Sequence, residues 1–328
     1  MKKNIAVVGC GHWGKNLIRN FHEIGSLYSV CDPDQSIAES FSKKYEVENL
    51  PFRDTISNEK IQGVVIAAPA SKHAELAIEA MYAGKNVYVE KPLALNVEDG
   101  YRMIAAAKEN GVSLMVGHLL QYHTAFQNML DKVQNGIIGE LKYIYSNRLS
   151  FGIIRQEEDV IWSFAPHDIS MILSLADEAP NQVFTVASDL YNNGNADNAT
   201  IHLKFNSGLR AHIQVSWIHP YKEQKVVAVG TNGMVVFDDV RKWSEKLAFY
   251  PHRMTLKTDG VPQIRKAEVE YIELTEVEPL KAECLHFTEV VNSKTNPRSG
   301  GDEGLNVLKV LTAATSSATK KSSVTLEI

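Results

Sequence analysis

One feature constrains this chain more than any other: a short apolar strand that runs into a glycine-spaced turn and then into an amphipathic helix. Ile5-Ala6-Val7-Val8 is a continuous apolar run, as a strand covered on both faces requires. Gly9-x-Gly11-x-x-Gly14 follows at once, and Trp13, Leu17, Ile18, Phe21 and Ile24 then recur at helical spacing. Each glycine has a physical reason. Gly9 permits the tight turn, Gly11 lets the backbone approach a pyrophosphate, and Gly14 lets the helix pack close to the strand. The helix N-terminus offers backbone N–H donors and positive dipole character to phosphates, with His12 and Trp13 in the same loop. In this strand–turn–helix setting the pattern reads as a dinucleotide cradle.

The alternation continues. Leu27 to Cys31 reads as a second strand, and Ile37, Phe41 and Tyr45 mark a second helix. Gly63 to Ala67 is another buried strand, followed by a helix through Ala74, Ala77, Ile78 and Met81 that Gly84 is placed to end. Asn86 to Val89 and Val112 to Val116 are further strands, separated by a helix capped by Asn96 and closed by Gly111. Repeated βαβ units imply a parallel sheet with helices on both faces, so residues 1–121 are expected to form a doubly wound α/β domain.

After a helix near Ala125 to Val133 the pattern changes. Leu141–Leu149, Gln182–Tyr191, Asn198–Phe205, Leu209–Trp217, Lys225–Gly230 and Met234–Asp238 read as strands, several of them alternating apolar and polar residues. Asn206-Ser207-Gly208 and Thr231-Asn232-Gly233 look like hairpin turns. Residues 122–328 are therefore expected to form an α+β domain with a large, mainly antiparallel open sheet. Its polar-alternating face needs water or a partner, and a homodimer or homotetramer through that sheet is expected. The last helix, about Asp302 to Lys320, is apolar early and should pack inside.

Length and composition agree with two domains. The chain has 328 residues, 44% of them apolar, enough for cores of ordinary size. A formal charge of −5 gives no general attraction to nucleic acid or anionic membrane. No apolar run approaches the roughly 18 residues of a membrane span, and Met1-Lys2-Lys3-Asn4 leads into a strand rather than a secretory core. Cys10, Cys31 and Cys284 have neither metal-ligand spacing nor a disulfide framework, which suits a reducing cytoplasm and a site without metal.

Three further positions carry chemistry. Asp32 follows the second strand, 18 residues after Gly14, close to the ~20 expected for a carboxylate on the adenosine ribose hydroxyls. A carboxylate there repels a 2′-phosphate, so NAD is favoured over NADP. Ala68-Pro69 ends the next strand with small residues on which a flat cofactor can lie, Ser71 reads as the cap of the following helix, and His73 in its first turn is either an exposed helix residue or a cofactor contact. Glu90-Lys91-Pro92 ends the strand Asn86–Val89. The proline forces Lys91 out of helical geometry, which puts an ammonium group at the carboxyl edge of the sheet, where ligands of open α/β sheets bind.

Gly9-x-Gly11-x-x-Gly14, Asp32, Ala68-Pro69, Glu90-Lys91-Pro92-Leu93 and Gly117-His118 stand in the order and spacing of the glucose-fructose oxidoreductase / inositol dehydrogenase / MocA family. The stretch Glu283 to Ser316 resembles that family's closing helix pair, so the resemblance covers nearly the whole chain. It implies an N-terminal Rossmann domain that binds NAD or NADP, and oxidation or reduction of a sugar or cyclitol hydroxyl. It implies catalysis by Lys91 and by His167, which takes the place of the family's histidine. Ser163 stands where that family has an aspartate four residues earlier, and Gln121, a further expected cofactor contact, stands where many relatives carry arginine. His123, Arg148, Arg155 and Trp162 are the expected substrate contacts beside Lys91 and His167, the arginines being suited to phosphate or carboxylate. The spelling Trp162-x-x-Ala165-Pro166-His167-Asp168 resembles a branch that oxidises the 3-hydroxyl of a UDP-N-acetylhexosamine. Other readings of the same residues are a dehydrogenase of a free sugar or cyclitol, an enzyme that recycles bound NAD without net NADH, and an NAD-binding regulator that has lost catalysis.

Overall fold

The computed structural model describes residues 2–152, 158–191, 194–256, 258, 260–293 and 295–326. Arg155 lies outside the described residues. The elements, in chain order, open with β1 (Ile5–Val8), α1 (Gly14–Ile24), β2 (Leu27–Cys31), α2 (Gln35–Tyr45), β3 (Glu48–Asn49) and α3 (Phe52–Ser57). Then come β4 (Gly63–Ile66), α4 (His73–Tyr82), β5 (Asn86–Val89), α5 (Val97–Asn110) and β6 (Leu114–Val116). The second half contains α6 (Thr124–Gln134), β7 (Leu141–Phe151), α7 (Val160–Ala176), β8 (Gln182–Ser188), β9 (Asn198–Lys204) and β10 (Arg210–Ser216). It continues with β11 (Ile218–Gly230), β12 (Gly233–Asp238), β13 (Leu247–Tyr250), β14 (Arg253–Leu256), β15 (Pro262–Arg265) and β16 (Glu270–Tyr271). The chain closes with α8 (Pro279–Ser293), α9 (Gly301–Lys320) and β17 (Val324–Thr325).

The chain divides into two compact units, residues 1–122 with 277–308 and residues 123–276 with 309–328. The sequence reading assigned everything after residue 121 to a second domain. Val277–Leu308 instead belongs to the first unit, because α8 buries Leu280, Cys284, Phe287 and Val291 in one core with Phe21, Leu27 and Tyr88.

In the first unit six described strands lie in the order β3-β2-β1-β4-β5-β6, all parallel. Val7 pairs with Val30 on one side and Val65 on the other, and all three are fully buried. Two helix ends follow the expected chemistry: Asn96 accepts from the Asp99 N–H, and Gly111 closes α5 at φ 62°. Ser71 does not cap α4. A short 3₁₀ turn over Ala70–Lys72 intervenes, and Lys72 precedes the helix without a side-chain cap. The order of strands reverses direction between β1 and β4, and in this topology ligands bind outside the carboxyl ends of the strands. The turns after β1, β2, β4, β5 and β6 carry Gly9, Asp32, Ala68, Lys91 and Gly117.

In the second unit nine described strands form one sheet, in the order β16-β13-β12-β11-β7-β10-β9-β8-β17. Pairing is antiparallel except between β7 and β10, so the sheet is mixed. Ile144, Ile201, Leu203, Ile213 and Val183 are buried on one face, and α7 packs against β7, β9 and β10. Along the other face Phe184, His202, His212 and Tyr145 are register partners, and their rings follow one another across four strands.

Candidate active site

The turn after β1 fits a dinucleotide. Gly9 has φ 95°, and a Cβ there would lie 2.7 Å from the Ala67 carbonyl. A Cβ on Gly14 would fall 1.9 Å from the Gly9 oxygen, so only glycine lets α1 approach. A Cβ on Gly11 would meet no protein atom within 4 Å, as expected where a ligand rather than the protein approaches the backbone. Asp32 is fixed from the same loop: Oδ2 accepts the Cys10 N–H at 2.7 Å and Oδ1 accepts the Asp34 N–H at 2.9 Å. Cys10 and Cys31 flank it as inert thiols, pushed up to about 12 and about 11 by burial and then by the Asp32 charge.

Trp13 was expected on one helical stripe with Leu17, Ile18, Phe21 and Ile24, at the start of α1 beside the cofactor. It is 39% exposed and precedes the helix, with its indole N–H donated to Glu90 Oε1 at 2.6 Å. An amphipathic ring needs an acceptor for its polar end, and that requirement overrides the stripe. Glu90 also accepts from Tyr88 Oη at 2.9 Å and, through Oε2, from the Lys91 N–H at 3.2 Å. It is buried, and burial pushes its carboxyl above the usual range against the pull of Trp13, Tyr88 and Lys91. The Lys91–Pro92 peptide is cis, and Lys91 is half-buried at the strand end. The glycine loop and the lysine turn are thus tied through one carboxylate.

His73 is 1% exposed, with Nδ1 at 2.8 Å from the Pro92 oxygen and Nε2 at 2.9 Å from the Ala68 oxygen. It was expected as an exposed helix residue or a cofactor contact. The ring instead lies between two main-chain carbonyls, and its single N–H when neutral donates to one of them, on the Ala68-Pro69 turn or on the Lys91-Pro92 turn. Burial lowers its pKa. After β6, a Cβ on Gly117 would stand 2.9 Å from both Glu90 Oε2 and Tyr88 Oη. His118 is buried with Nδ1 at 2.6 Å from Glu303 Oε2. Gln121 is buried in the short turn that follows, and its carbonyl accepts from Arg298 at 3.2 Å.

Three expected substrate contacts in the second unit turn out to be engaged elsewhere. His123 is 2% exposed and caps α6: Nδ1 accepts the Ala125 N–H at 3.0 Å, leaving Nε2 to face Asp239 at 3.4 Å. Burial raises the Asp239 carboxyl, but hydrogen bonds from His123 and Lys246 outweigh it and hold the group well below the usual range. Arg148 forms a fork with Asp168, Nε to Oδ2 at 2.5 Å and Nη2 to Oδ1 at 3.3 Å, and Ser146 also donates to Asp168. Asp168 is fully buried, so the arginine serves a carboxylate of its own chain. The Trp162 indole N–H donates to Thr315 Oγ1 at 3.0 Å. His167 is half-buried on α7, one helical turn after the buried Ser163, while the adjacent Asp168 points into the core.

Among the described residues no cluster of His, Cys, Asp or Glu is arranged to hold a metal ion. The profile of the oxidoreductase family with an NAD-binding Rossmann fold matches residues 3–118, and the C-terminal domain of the GFO/IDH/MocA family matches residues 126–236. The chain belongs to this family. It is an oxidoreductase whose fold binds a nicotinamide dinucleotide. Among its relatives is a 2,7-anhydro-N-acetylneuraminate hydratase of Escherichia coli K12, 28% identical over 72% of this chain and 67% of the relative. A myo-inositol 2-dehydrogenase of Thermotoga maritima is 26% identical over 98% of each chain. The UDP-N-acetylglucosamine 3-dehydrogenase of Acidithiobacillus ferrooxidans is 26% identical over 92% of this chain and 93% of its own. A solved structure of an enzyme of that name and organism superposes with a TM-score of 0.85 over 97% and 98% of the two chains, at 22% identity, and so shares the fold.

Two members of the site escaped the sequence reading. Tyr88 reads only as a strand residue, yet its hydroxyl serves Glu90. Glu283 left one signal: an acid set among Leu280, Cys284, Phe287 and Val291 on the buried stripe of α8.

Proposed function

We propose that this family member is an NAD-dependent dehydrogenase of a sugar secondary hydroxyl, and that its substrate is a UDP-linked N-acetyl amino sugar oxidised at the 3-position. The observation that carries the dehydrogenase reading is Lys91, held at the carboxyl edge of the parallel sheet beside a carboxylate that also anchors the glycine loop through Trp13. Nicotinamide, when bound, supplies the hydride acceptor. Gly9, Gly11 and Gly14 are assigned to the pyrophosphate, and Asp32 to the adenosine ribose, which favours NAD over NADP.

The protein has two tasks at the reacting carbon: to take the hydroxyl proton and to stabilise charge on the oxygen. Lys91 Nζ is assigned the second, as a hydrogen-bond donor to that oxygen. His167 is assigned the first, since imidazole is the side chain whose free titration range lies close enough to neutrality to serve both directions of the reaction. Serine at 163 brings no charge to orient it.

Support for the substrate is the spelling from Trp162 to Asp168 together with similarity along the whole chain to the UDP-N-acetylglucosamine 3-dehydrogenase. The similarity to a hydratase favours a second reading, because adding water to a sugar leaves no net oxidation and any NAD used would be restored within each turnover. The test is NADH absorbance with NAD and a panel of UDP-N-acetylglucosamine, free sugars and inositols. Accumulating NADH with the UDP-sugar supports the leading reading. NADH only with an inositol or free sugar overturns the substrate, and tight NAD binding with no NADH from any alcohol overturns the dehydrogenase.

We infer also that copies associate through the sheet face opposite α7, whose cross-strand row Phe184, His202, His212 and Tyr145 offers rings on which a second copy can pack. No described helix is long and apolar enough to cross a membrane, and a cytoplasmic location is part of this proposal.

A further inference from the structure

Behind the lysine turn lies a second carboxyl that the reaction above does not use. Glu283 of α8 is 1% exposed, and neither of its oxygens has a hydrogen-bond partner among the described residues. One turn further along the same helix, Phe287 packs on Tyr88 with ring centroids 5.7 Å apart, which sets Glu283 on the face of α8 that meets the Tyr88–Glu90 pair. Room for that pair is made at Gly117, where any side chain would collide with Glu90 and Tyr88.

We propose that Glu283 is a positioning residue for Lys91: a protonated carboxyl that leaves the single negative charge of the Tyr88–Glu90–Glu283 cluster on Glu90, against the lysine turn. The distribution of donors decides which acid keeps the proton. Glu90 accepts three, from Trp13, Tyr88 and the Lys91 backbone, and each favours its anion. Glu283 has no donor within ordinary hydrogen-bond geometry, and the one hydroxyl near it, that of Tyr88, donates to Glu90; Leu280, Cys284 and Phe287 on its own helix are buried. Two buried carboxylates in one cluster cannot both ionise, so the better-solvated one takes the charge. The other titratable and charged groups facing the pair are Tyr88 and Lys91 from the β5 side, Cys284 from α8 and Tyr122; Glu278, just before α8, and Arg19 act in turn on Cys284, and Arg298 lies over the Tyr122 ring. Burial first and then the Glu90 charge push the Glu283 carboxyl well above the usual range, against the weaker pull of the Tyr88 hydroxyl. An ionised Glu283 would drive the proton onto Glu90, weakening its hold on the Trp13 loop and on the Lys91 turn at the same moment.

The inference rests on the role assigned to Lys91, but its first readout needs no turnover. Infrared spectra of the full-length protein at neutral pH are expected to show the carbonyl band of a buried protonated carboxyl. Glu283→Gln, a neutral near-isostere, should abolish the band, and Glu90→Gln should retain it. No such band in the unmodified protein, or a band lost in Glu90→Gln and kept in Glu283→Gln, overturns the assignment. The second readout is the pH profile of kcat. Removing the Glu90 anion disfavours the Lys91 cation, so the alkaline limb should move to lower pH by about half a unit or more in Glu90→Gln. It should stay in place in Glu283→Gln, and equal movement in both variants overturns the division of charge.

Discussion

Replacing Asp32 by alanine tests the cofactor assignment, and the structure sets both the size of the effect and the form of the assay. The carboxylate holds the Cys10 and Asp34 N–H groups, so its loss loosens the glycine loop for any dinucleotide. Absolute affinities will fall for that reason alone. The ratio of NADP to NAD affinity cancels the shared loop and isolates the carboxylate. Two terms enter the ratio. NAD loses a charged hydrogen bond to a ribose hydroxyl, about 1.5–3 kcal/mol. NADP is relieved of repulsion between the carboxylate and a 2′-phosphate of charge about −2. Asp32 is half-buried, so a water-like dielectric gives the lower bound, and at a separation of about 5 Å the relief is then about 1.5–2 kcal/mol. The sum, about 3 kcal/mol or more, predicts a rise of about 100-fold or more in the NADP-to-NAD affinity ratio, read from titrations of both cofactors in one low-salt buffer. The repulsive part should shrink as salt is added. A ratio that moves by less than about threefold would refute the placement of Asp32 at the ribose.

Lys91→Ala should lower kcat by about 100-fold or more while leaving the NAD dissociation constant within about threefold, since the stabilisation it removes develops in the transition state; turnover that survives would remove the lysine from the mechanism. Arg148→Ala strands the fully buried Asp168 and should cost about 3–5 kcal/mol in urea unfolding followed by tryptophan fluorescence. A raised KM with unchanged stability would return Arg148 to the substrate. His73 gives a pH dependence of definite sign. Its folded pKa is depressed, so as pH falls below about 6.5 the unfolded chain binds the proton first and stability declines until the folded pKa is reached. Urea midpoints between pH 8 and pH 5 should therefore fall less steeply in His73→Gln, and identical slopes would contradict the buried neutral ring.

What the sequence reveals is what is encoded locally. Continuous apolar runs, a glycine at each forced turn and an asparagine at a helix start all act within a few residues, and they suffice for the doubly wound sheet and for the positions of Gly9, Asp32 and Lys91 at its edge. What stays hidden is the pairing of polar atoms across long separations. Arg148, Trp162 and His123 are plausible ligands by type, but Asp168, Thr315 and Asp239 take up their donors, and nothing in a linear pattern announces those partners. His73 misleads for a related reason: helix-start positions are usually solvated, and only the fold shows two carbonyls converging on the ring. The return of α8 to the first unit is equally non-local, because its apolar stripe fits any core and only packing on Phe21 and Tyr88 selects this one. Trp13 fails by a conflict of rules: its spacing obeys the helix period while its N–H obeys Glu90.

The central claim is that hydride passes between a sugar carbon and nicotinamide under the control of Lys91. The most direct measurement incubates the protein with NAD and UDP-N-acetylglucosamine deuterated at carbon 3, and follows the label by mass spectrometry of the cofactor. Deuterium on the reduced nicotinamide, absent with Lys91→Ala, is the predicted result. Reduced cofactor without deuterium, or label that stays wholly on the sugar while NAD is bound, would contradict it.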